Sequence, residues 1–459
     1  MTRLDEDQMK IVNSTAKNIV VVAGAGSGKT TVLTERIRHL INDEGVIPED
    51  VIAITFTNAA ADEMRERLSD IKDSDTMFIG TIHSFANALL HLSCPDMDYT
   101  VLSDEEFLMA AEKLCKKYCK ALTADKLTGY IEIKEKFRNG RAELQEVEEY
   151  LTFQESLEFD MMMRSTEDTE RSYNRDYPES IYSWCEKNNI LTFDNLIIYA
   201  KKNLGSDLKF PYLFVDEYQD VGILEDGFIR SLNAEHTFIV GDDWQSIYGF
   251  KGAVVDIFKS YVNDDKWTTY HLDRNYRCAT DIIRLAEAII SDDDYRLPKN
   301  VVPMCKVKGV VSFDSQKELI WHLKSIRKSK DYGNWFLLAR TRKDINALFD
   351  FCEMVKLPAV FFSREGLSKE EEQELLAQNT VKIATVHGVK GLESDNVLLY
   401  GNFPVHGEMP ESAYNNMKRR LRYYEERRIM YVGVTRAKQK IVLLSDANVM
   451  PKQPQTAMG

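Results

Sequence analysis

The sequence predicts an α/β fold built on parallel sheets, and three observations carry that prediction. Short apolar runs recur along the chain, bounded by Gly or Asp and separated by segments of helical spacing. Their apolar character is near-continuous, the pattern of strands buried on both faces. One run passes directly into a glycine-rich loop and then into a helix.

Eight runs read as strands: Ile19–Ala23, Val51–Phe56, Tyr212–Val215, Thr237–Val240, Trp335–Ala339, Val381–Thr385, Val397–Tyr400 and Ile441–Leu444. After Lys29, the positions Leu33, Ile37, Leu40 and Ile41 follow helical spacing. Residues 91–190 contain no strand run and read as helical. The chain shows no internal repeat of fixed period.

The 459 residues suggest about three domains. Hydrophobic residues at 44% and charged residues at 29% exclude a collagen-like or wholly disordered chain. The net charge of −14, taken alone, argues against a nucleic-acid partner, which usually meets a basic surface. That charge is uneven. Ala142–Ile190 holds 13 acidic and 4 basic residues, whereas Tyr414–Lys440 holds 9 basic and 2 acidic. The seven cysteines form no C-x-x-C pair, which fits reduced thiols in a cytoplasmic protein. No apolar run approaches 18 residues, so no membrane helix is expected. The acidic start Asp5-Glu6-Asp7 is not that of a signal peptide.

The loop after Ile19–Ala23 reads Gly24-Ala25-Gly26-Ser27-Gly28-Lys29-Thr30, which is G-x-x-x-x-G-K-T between strand and helix. Backbone N–H groups from Ala23 to Thr31 would cradle phosphates, helped by the positive end of the helix dipole. Lys29 would reach the β- and γ-phosphates, and the Thr30 hydroxyl would ligate Mg²⁺. A second strand ends in Asp216-Glu217. Asp216 would hold Mg²⁺ directly or through water, and Glu217 would orient and deprotonate the attacking water. Together these motifs point to ATP hydrolysis and leave open what it drives.

The remaining motifs identify what the chain resembles. Asp7-Gln8 is followed by T-F-T-N-A-A-A-D-E-M (Thr55–Met64), G-T-I-H-S-F (Gly80–Phe85) and F-V-D-E-Y-Q-D (Phe214–Asp220). Then come V-G-D-D-W-Q-S-I-Y-G-F-K-G-A (Val240–Ala253), L-D-R-N-Y-R (Leu272–Arg277), T-V-H-G-V-K-G-L-E (Thr385–Glu393) and E-E-R-R-I-M-Y-V-G-V-T-R-A (Glu425–Ala437). In kind and order these segments resemble the superfamily 1 DNA helicases of the UvrD/Rep/PcrA type. The resemblance implies two RecA-like P-loop motor domains, the first carrying a helical insertion. Placed on this sequence, the first comprises 1–90 and 191–274, the insertion 91–190, and the second 275–459.

The resemblance also implies roles. Gln8 would read the adenine edge, Tyr276 stack on adenine, and Glu393 meet the ribose. Gln245 would sense the γ-phosphate, and Arg277 and Arg436 would neutralise its charge. Phe56, Tyr248 and Phe250 would stand against bases, with Thr57, Asn58, His83 and His387 touching the strand. For the two histidines a structural hydrogen-bonded role is the alternative. The basic stretch Lys418, Arg419, Arg420, Arg422, Arg427 and Arg428 would attract phosphate or form a solvated helix face.

Three departures qualify the resemblance. Ser394 replaces the usual aromatic after L-E. Phe250-Lys251 replaces a tryptophan–arginine pair, and lysine lacks the bidentate fork. The roughly 40 residues between Ala339 and Val381 leave room for one or two helices but not for the large insertion typical there. Arg436 lies near the end of the sequence, so no nuclease domain is expected to follow it. The expected activity is ATP-dependent movement on single-stranded DNA, 3′→5′ by resemblance, with unwinding at single-strand/duplex junctions. A motor subunit with little unwinding, acting with a protein partner in repair, replication or defence, is one alternative. A P-loop phosphotransferase or switch that binds no nucleic acid is another, and an RNA track remains open.

Overall fold

Val and Ile fill the strand that precedes the glycine-rich loop, and both of its faces are buried. In the computed structural model this strand is β1 (Asn18–Ala23). The described residues are 4–102, 106, 189–205, 207–249, 253–291, 293–363, 367, 369–403 and 417–446, with backbone alone at 417–419.

The first half of the chain adds β2 (Val51–Thr55), β3 (Phe78–Thr81), β4 (Thr100–Leu102), β5 (Ile190–Thr192), β6 (Tyr212–Val215), β7 (His236–Gly241) and β8 (Thr268–Leu272). Six of these strands form one parallel sheet in the order β3-β2-β6-β7-β1-β8. Successive side chains on a strand point to opposite faces. Val21 and Ala53 therefore pack with Leu33, Ile37 and Leu40 of helix Lys29–Asn42. Val20, Val22 and Ile54 pack on the other face with Phe85, Leu89, Ile197 and Phe228. Each such buried aliphatic or aromatic side chain contributes about 1.5–3 kcal/mol.

The second half adds β9 (Arg274–Ala279), β10 (Val302–Cys305), β11 (Val310–Asp314), β12 (Trp335–Ala339), β13 (Ala359–Phe361), β14 (Val381–Thr385), β15 (Ser394–Tyr400) and β16 (Ala437–Leu444). Its six-stranded parallel sheet has the order β11-β16-β15-β12-β14-β13. Leu338, Val397 and Ile441 face one core, and Leu337, Leu398 and Val442 face another. The chain is thus α/β with two parallel sheets, consistent with two RecA-like motor domains.

All eight predicted strands are present, and they are the eight interior strands of the two sheets. Their bounds differ by at most four residues. The strands the pattern missed include all four edges, β3, β8, β11 and β13, which are short or partly exposed. Among the described residues, helix Arg342–Met354, β13 and helix Lys369–Ala377 lie between β12 and β14, with no further domain. Most of residues 91–190, expected to be helical, lies outside the described residues. At its described ends, β4 and β5 pair in parallel, each only three residues long. Cys94, Cys278, Cys305 and Cys352 are free thiols, while Cys115, Cys119 and Cys185 lie outside the described residues. Among the described residues, no helix is long and apolar enough to cross a membrane.

The basic segment near the C-terminus corrects an expectation. The C-terminal part of helix Met417–Val434 packs into the core, so Arg427 and Arg428 do not belong to a phosphate-attracting face. Arg427 is fully buried, and its Nε donates to the Ile289 carbonyl at 2.8 Å. Arg428 is 5% exposed and pairs with the buried Asp293 at 2.8 Å. Arg420 pairs with Asp294, and Arg422 is exposed. The side chains of Lys418 and Arg419 lie outside what is described.

Replacing Arg428 with Met leaves the Asp293 carboxylate buried without its cation. The stability of the chain should fall by about 3–5 kcal/mol, read as a lower denaturant midpoint. Arg422→Ala, on the exposed face, should change it by no more than about 0.5 kcal/mol.

Candidate active site

Because the first sheet is parallel, the loops after its strands collect along one edge. The glycine-rich loop follows β1, Asp216-Glu217 follows β6, and Gln245 follows β7. Phe56-Thr57 follows β2, and His83 lies just beyond β3. Neighbouring strands thus set these motif residues side by side.

The loop that joins β1 to its helix needs two positive-φ residues, Gly26 (φ 63°) and Gly28 (φ 86°). Only glycine takes this conformation without cost. A Cβ on Gly26 would lie 2.6 Å from the Cβ of Arg277, so the absent side chain also admits the second half of the chain. Ser27 Oγ donates to the Gly24 carbonyl at 2.8 Å and closes the loop on itself.

Lys29 is largely covered in the loop, and its Nζ donates to Glu217 Oε2 at 3.0 Å. Burial alone would favour the neutral amine. Glu217, Asp242 and Asp216 outweigh burial and hold Lys29 above its usual range. Glu217 adopts a left-handed backbone (φ 53°), an uncommon conformation for a side chain of this size and a mark of a functional turn. Its carboxylate also accepts from Gln219 Nε2. Burial opposes its charge, but Lys29 and Lys390 hold Glu217 well below the ordinary range. The neighbouring Asp216 is pushed upward by burial and by the charge of Glu217.

Thr30 Oγ1 and Asp216 Oδ2 approach to 3.4 Å. These are two hard oxygen donors beside the phosphate loop, the donor set that suits Mg²⁺. Among the described residues, no group of three or more His, Cys, Asp or Glu converges as a metal cage.

The second half of the chain closes the cleft. Gln245 Nε2 donates to Asp242 Oδ2 at 2.5 Å, and its Oε1 accepts from Arg436 Nη2 at 3.1 Å. Arg436 is buried and also donates to the carbonyls of Val432 and Leu392, at 3.0 and 3.1 Å. Its burial lowers the guanidinium to about 10. Arg277 Nε donates to Glu393 Oε2, and Lys438 pairs with the same carboxylate at 2.7 Å. Glu393 is therefore held by two cations, beside Arg277 rather than apart from it.

Gln8 and Tyr276 flank the loop. Gln8 Nε2 donates to the Ser27 carbonyl at 3.1 Å, while its Oε1 accepts from the Asp5 N–H at 3.0 Å. The Tyr276 hydroxyl donates to Asp5, and its ring is 45% exposed. The Tyr276 N–H donates to the Gly26 carbonyl at 2.9 Å.

Next to the cleft stands a group of rings. Phe56 and Tyr248 stack at 5.1 Å between centroids, and His387 tilts against Tyr248 at 5.9 Å. His387 Nε2 lies 3.2 Å from the Ile247 carbonyl. Burial, with Arg340 and Lys390 nearby, lowers this imidazole to about 4, so it is neutral at neutral pH. Thr57 caps helix Asn58–Leu68 through its hydroxyl, and Thr57 and Asn58 are exposed. His83 packs on Phe193 at 4.8 Å between ring centroids. Phe250 and Lys251 lie outside the described residues.

Three residues that build this site were not singled out from the sequence. Asn275 is buried, donates to the Ala25 carbonyl at 2.6 Å and accepts from the N–H groups of Arg277 and Cys278. Lys390 donates to Asp220 and to the Gln245 carbonyl at 2.9 Å, with its ammonium 4.8 Å from the Tyr248 ring. Burial raises Asp220 to about 6 despite that lysine. Lys299 pairs with Asp242 and Asp243. Asn275 and Lys390 fall inside quoted motifs, but their partners lie in the other half of the chain.

Comparison with known proteins finds a family match in each half of the chain. Residues 4–266 match the UvrD/REP helicase N-terminal domain, and residues 353–447 match the UvrD-like helicase C-terminal domain. A probable DNA helicase of Mycoplasma pneumoniae is 27% identical over 97% of this chain and 84% of its own length. DNA helicase II of Escherichia coli is 31% identical over 65% of this chain and 42% of its own. The ATP-dependent DNA helicase PcrA of Bacillus subtilis is 30% identical over 66% of this chain and 41% of its own. The chain thus spans less than half the length of the latter two.

His387 supplies a pH test. Its folded value, about 4, lies below the ordinary 6.5, so folding favours the neutral ring. The stability this supports is full above about pH 6.5 and is lost as pH falls towards 4. Denaturant midpoints measured across that window should fall less steeply in His387→Gln than in the wild type.

Proposed function

The chain belongs to the UvrD/REP family of ATP-dependent DNA helicases, and from that premise we propose that it moves 3′→5′ on single-stranded DNA and unwinds duplex at single-strand/duplex junctions. The observation that carries this reading is the cleft itself. Lys29, Asp216, Glu217 and Gln245 from the first half face Arg436 and Arg277 from the second. A nucleotide bound there would feel both halves.

The cleft residues fit named roles. The backbone from Ala23 to Thr31 cradles the phosphates of ATP, and Lys29 exchanges Glu217 for the β- and γ-phosphates. Thr30 and Asp216 are the residues that would hold Mg²⁺, which supplies charge neutralisation on the transferred phosphoryl group. Glu217, kept ionised by Lys29 and Lys390, takes a proton from the attacking water. Gln245 orients at the γ-phosphate, and Arg277 and Arg436 neutralise charge from the second half, an effect worth about 10³–10⁵ in rate for such arginines. Tyr276 and Gln8 meet the adenine, and Glu393 the ribose once Arg277 has turned to phosphate.

Single-stranded DNA would lie over Phe56, Tyr248 and His387, with Thr57, Asn58 and His83 along the backbone. Lys390 touches Tyr248 on one side and Asp220 on the other, so hydrolysis and the ring stack share a residue. The site of action is the cytoplasm. A second reading, a translocase with little unwinding of its own that works with a protein partner, draws support from one feature. Among the described residues, two helices and one strand separate β12 from β14.

Strand displacement on 3′-tailed and 5′-tailed duplexes tests activity and direction together. Unwinding of the 3′-tailed substrate alone is expected, and preference for the 5′ tail contradicts the polarity. Lys29→Ala should abolish ATP turnover with an unchanged circular dichroism spectrum. Phe56→Ala and Tyr248→Ala should each weaken binding of single-stranded DNA by about 1–3 kcal/mol, measured by fluorescence anisotropy.

A further inference from the structure

A buried lysine outside the motifs compared above holds the Gln245 end of the cleft. Lys299 lies between helix Thr280–Ile290 and β10, in the second half of the chain. Its side chain is 1% exposed, and those of Asp242 and Asp243 are fully buried. The ammonium pairs with Asp242 Oδ1, stands 2.7 Å from Asp243 Oδ1 and lies 4.7 Å from the centre of the Trp244 ring. The loop that carries it is pinned to Asp243 and Trp244 as well. The Leu297 N–H donates to Asp243 Oδ2 at 2.6 Å, and Trp244 Nε1 donates to the Leu297 carbonyl at 3.0 Å.

The consequence runs through Asp242. Its Oδ1 meets Lys299 and the Trp244 N–H, which leaves Oδ2 for Gln245 Nε2 at 2.5 Å. With its nitrogen fixed there, the Gln245 amide must turn its oxygen away, towards Arg436 at 3.1 Å. Two adjacent buried carboxylates repel each other and keep this geometry only with a cation between them. We infer that Lys299 is a positioning residue of the hydrolytic cleft: by clamping Asp242 it fixes the orientation of Gln245 and, through Gln245, of Arg436. The effect falls on turnover more than on nucleotide binding, because the cluster reaches the cleft chiefly through Gln245 and Arg436, and Asp242, which helps hold Lys29 charged, keeps its own charge when Lys299 is replaced. This inference rests on the reading of the cleft as an ATP-hydrolysing site.

Lys299→Gln alone would leave two buried carboxylates without a cation and could fail to fold. The informative protein is the double variant Lys299→Gln/Asp243→Asn, in which the cluster keeps its net charge of one negative. ATP turnover at saturating single-stranded DNA should fall about tenfold or more in kcat, with KM for ATP within about twofold. Adding Gln245→Ala should then cost little beyond Gln245→Ala alone, since both changes act on one chain of contacts. Asp243→Asn alone, which keeps the Lys299–Asp242 pair, should retain kcat within about twofold. The inference is overturned if the double variant keeps wild-type kcat, if its loss multiplies with that of Gln245→Ala, or if Asp243→Asn alone loses as much as the double variant. A wild-type protein that hydrolyses no ATP would instead refute the reading of the cleft.

Discussion

The structure depends on balancing charges that have been taken out of water. At the loop-bearing edge of the first sheet the chain buries Asp216, Asp220, Asp242 and Asp243, with Glu217 largely covered. An isolated buried carboxylate costs several kcal/mol, so each needs a cation or a donor close by. Three lysines meet that need. Lys29 comes from the same half, but Lys390 and Lys299 come from the second half. The two sheets are therefore joined by electrostatic necessity as well as by apolar packing, and the joint runs through the nucleotide cleft. Any change in charge inside the cleft, such as the arrival and departure of a phosphate, must be felt in how the halves meet.

That constraint explains why the same residues serve structure and mechanism. Lys390 balances Asp220, helps hold Glu217 ionised, and lies against the Tyr248 ring. Arg436 is satisfied by Gln245 and two carbonyls, and Arg277 by Glu393. In each pair a group proposed to meet the nucleotide is held by another such group. In the proposed mechanism the pairs store the site's charges at low cost until a nucleotide with phosphates and ribose offers better partners.

Legibility in the sequence followed burial. The interior strands of both sheets carry near-continuous apolar runs because helices cover both faces, and those eight were all readable. The edge strands β3, β8, β11 and β13 were not, because a strand with one open side needs no such run and is often short. The glycine-rich loop and Asp216-Glu217 were readable because phosphate chemistry demands those residue types at fixed spacing. Asn275, Lys299 and Lys390 were not, because their meaning lies in a partner 250, 57 and 170 residues away, respectively. Charge counting misled for a related reason. The basic segment Tyr414–Lys440 suggested a phosphate-attracting surface, yet Arg427, Arg428 and Arg436 are spent inside the fold. Net charge along a sequence does not record which charges reach solvent.

The central claim is that one cleft couples a nucleotide to a strand of DNA. The most direct test is the steady-state rate of ATP hydrolysis by the wild-type protein, measured as single-stranded DNA is titrated in at fixed salt. The account predicts a saturable rise, steepest at low ionic strength because phosphate contacts weaken with salt. A hydrolysis rate that stays flat across the titration, with the protein folded and ATP bound, would contradict it.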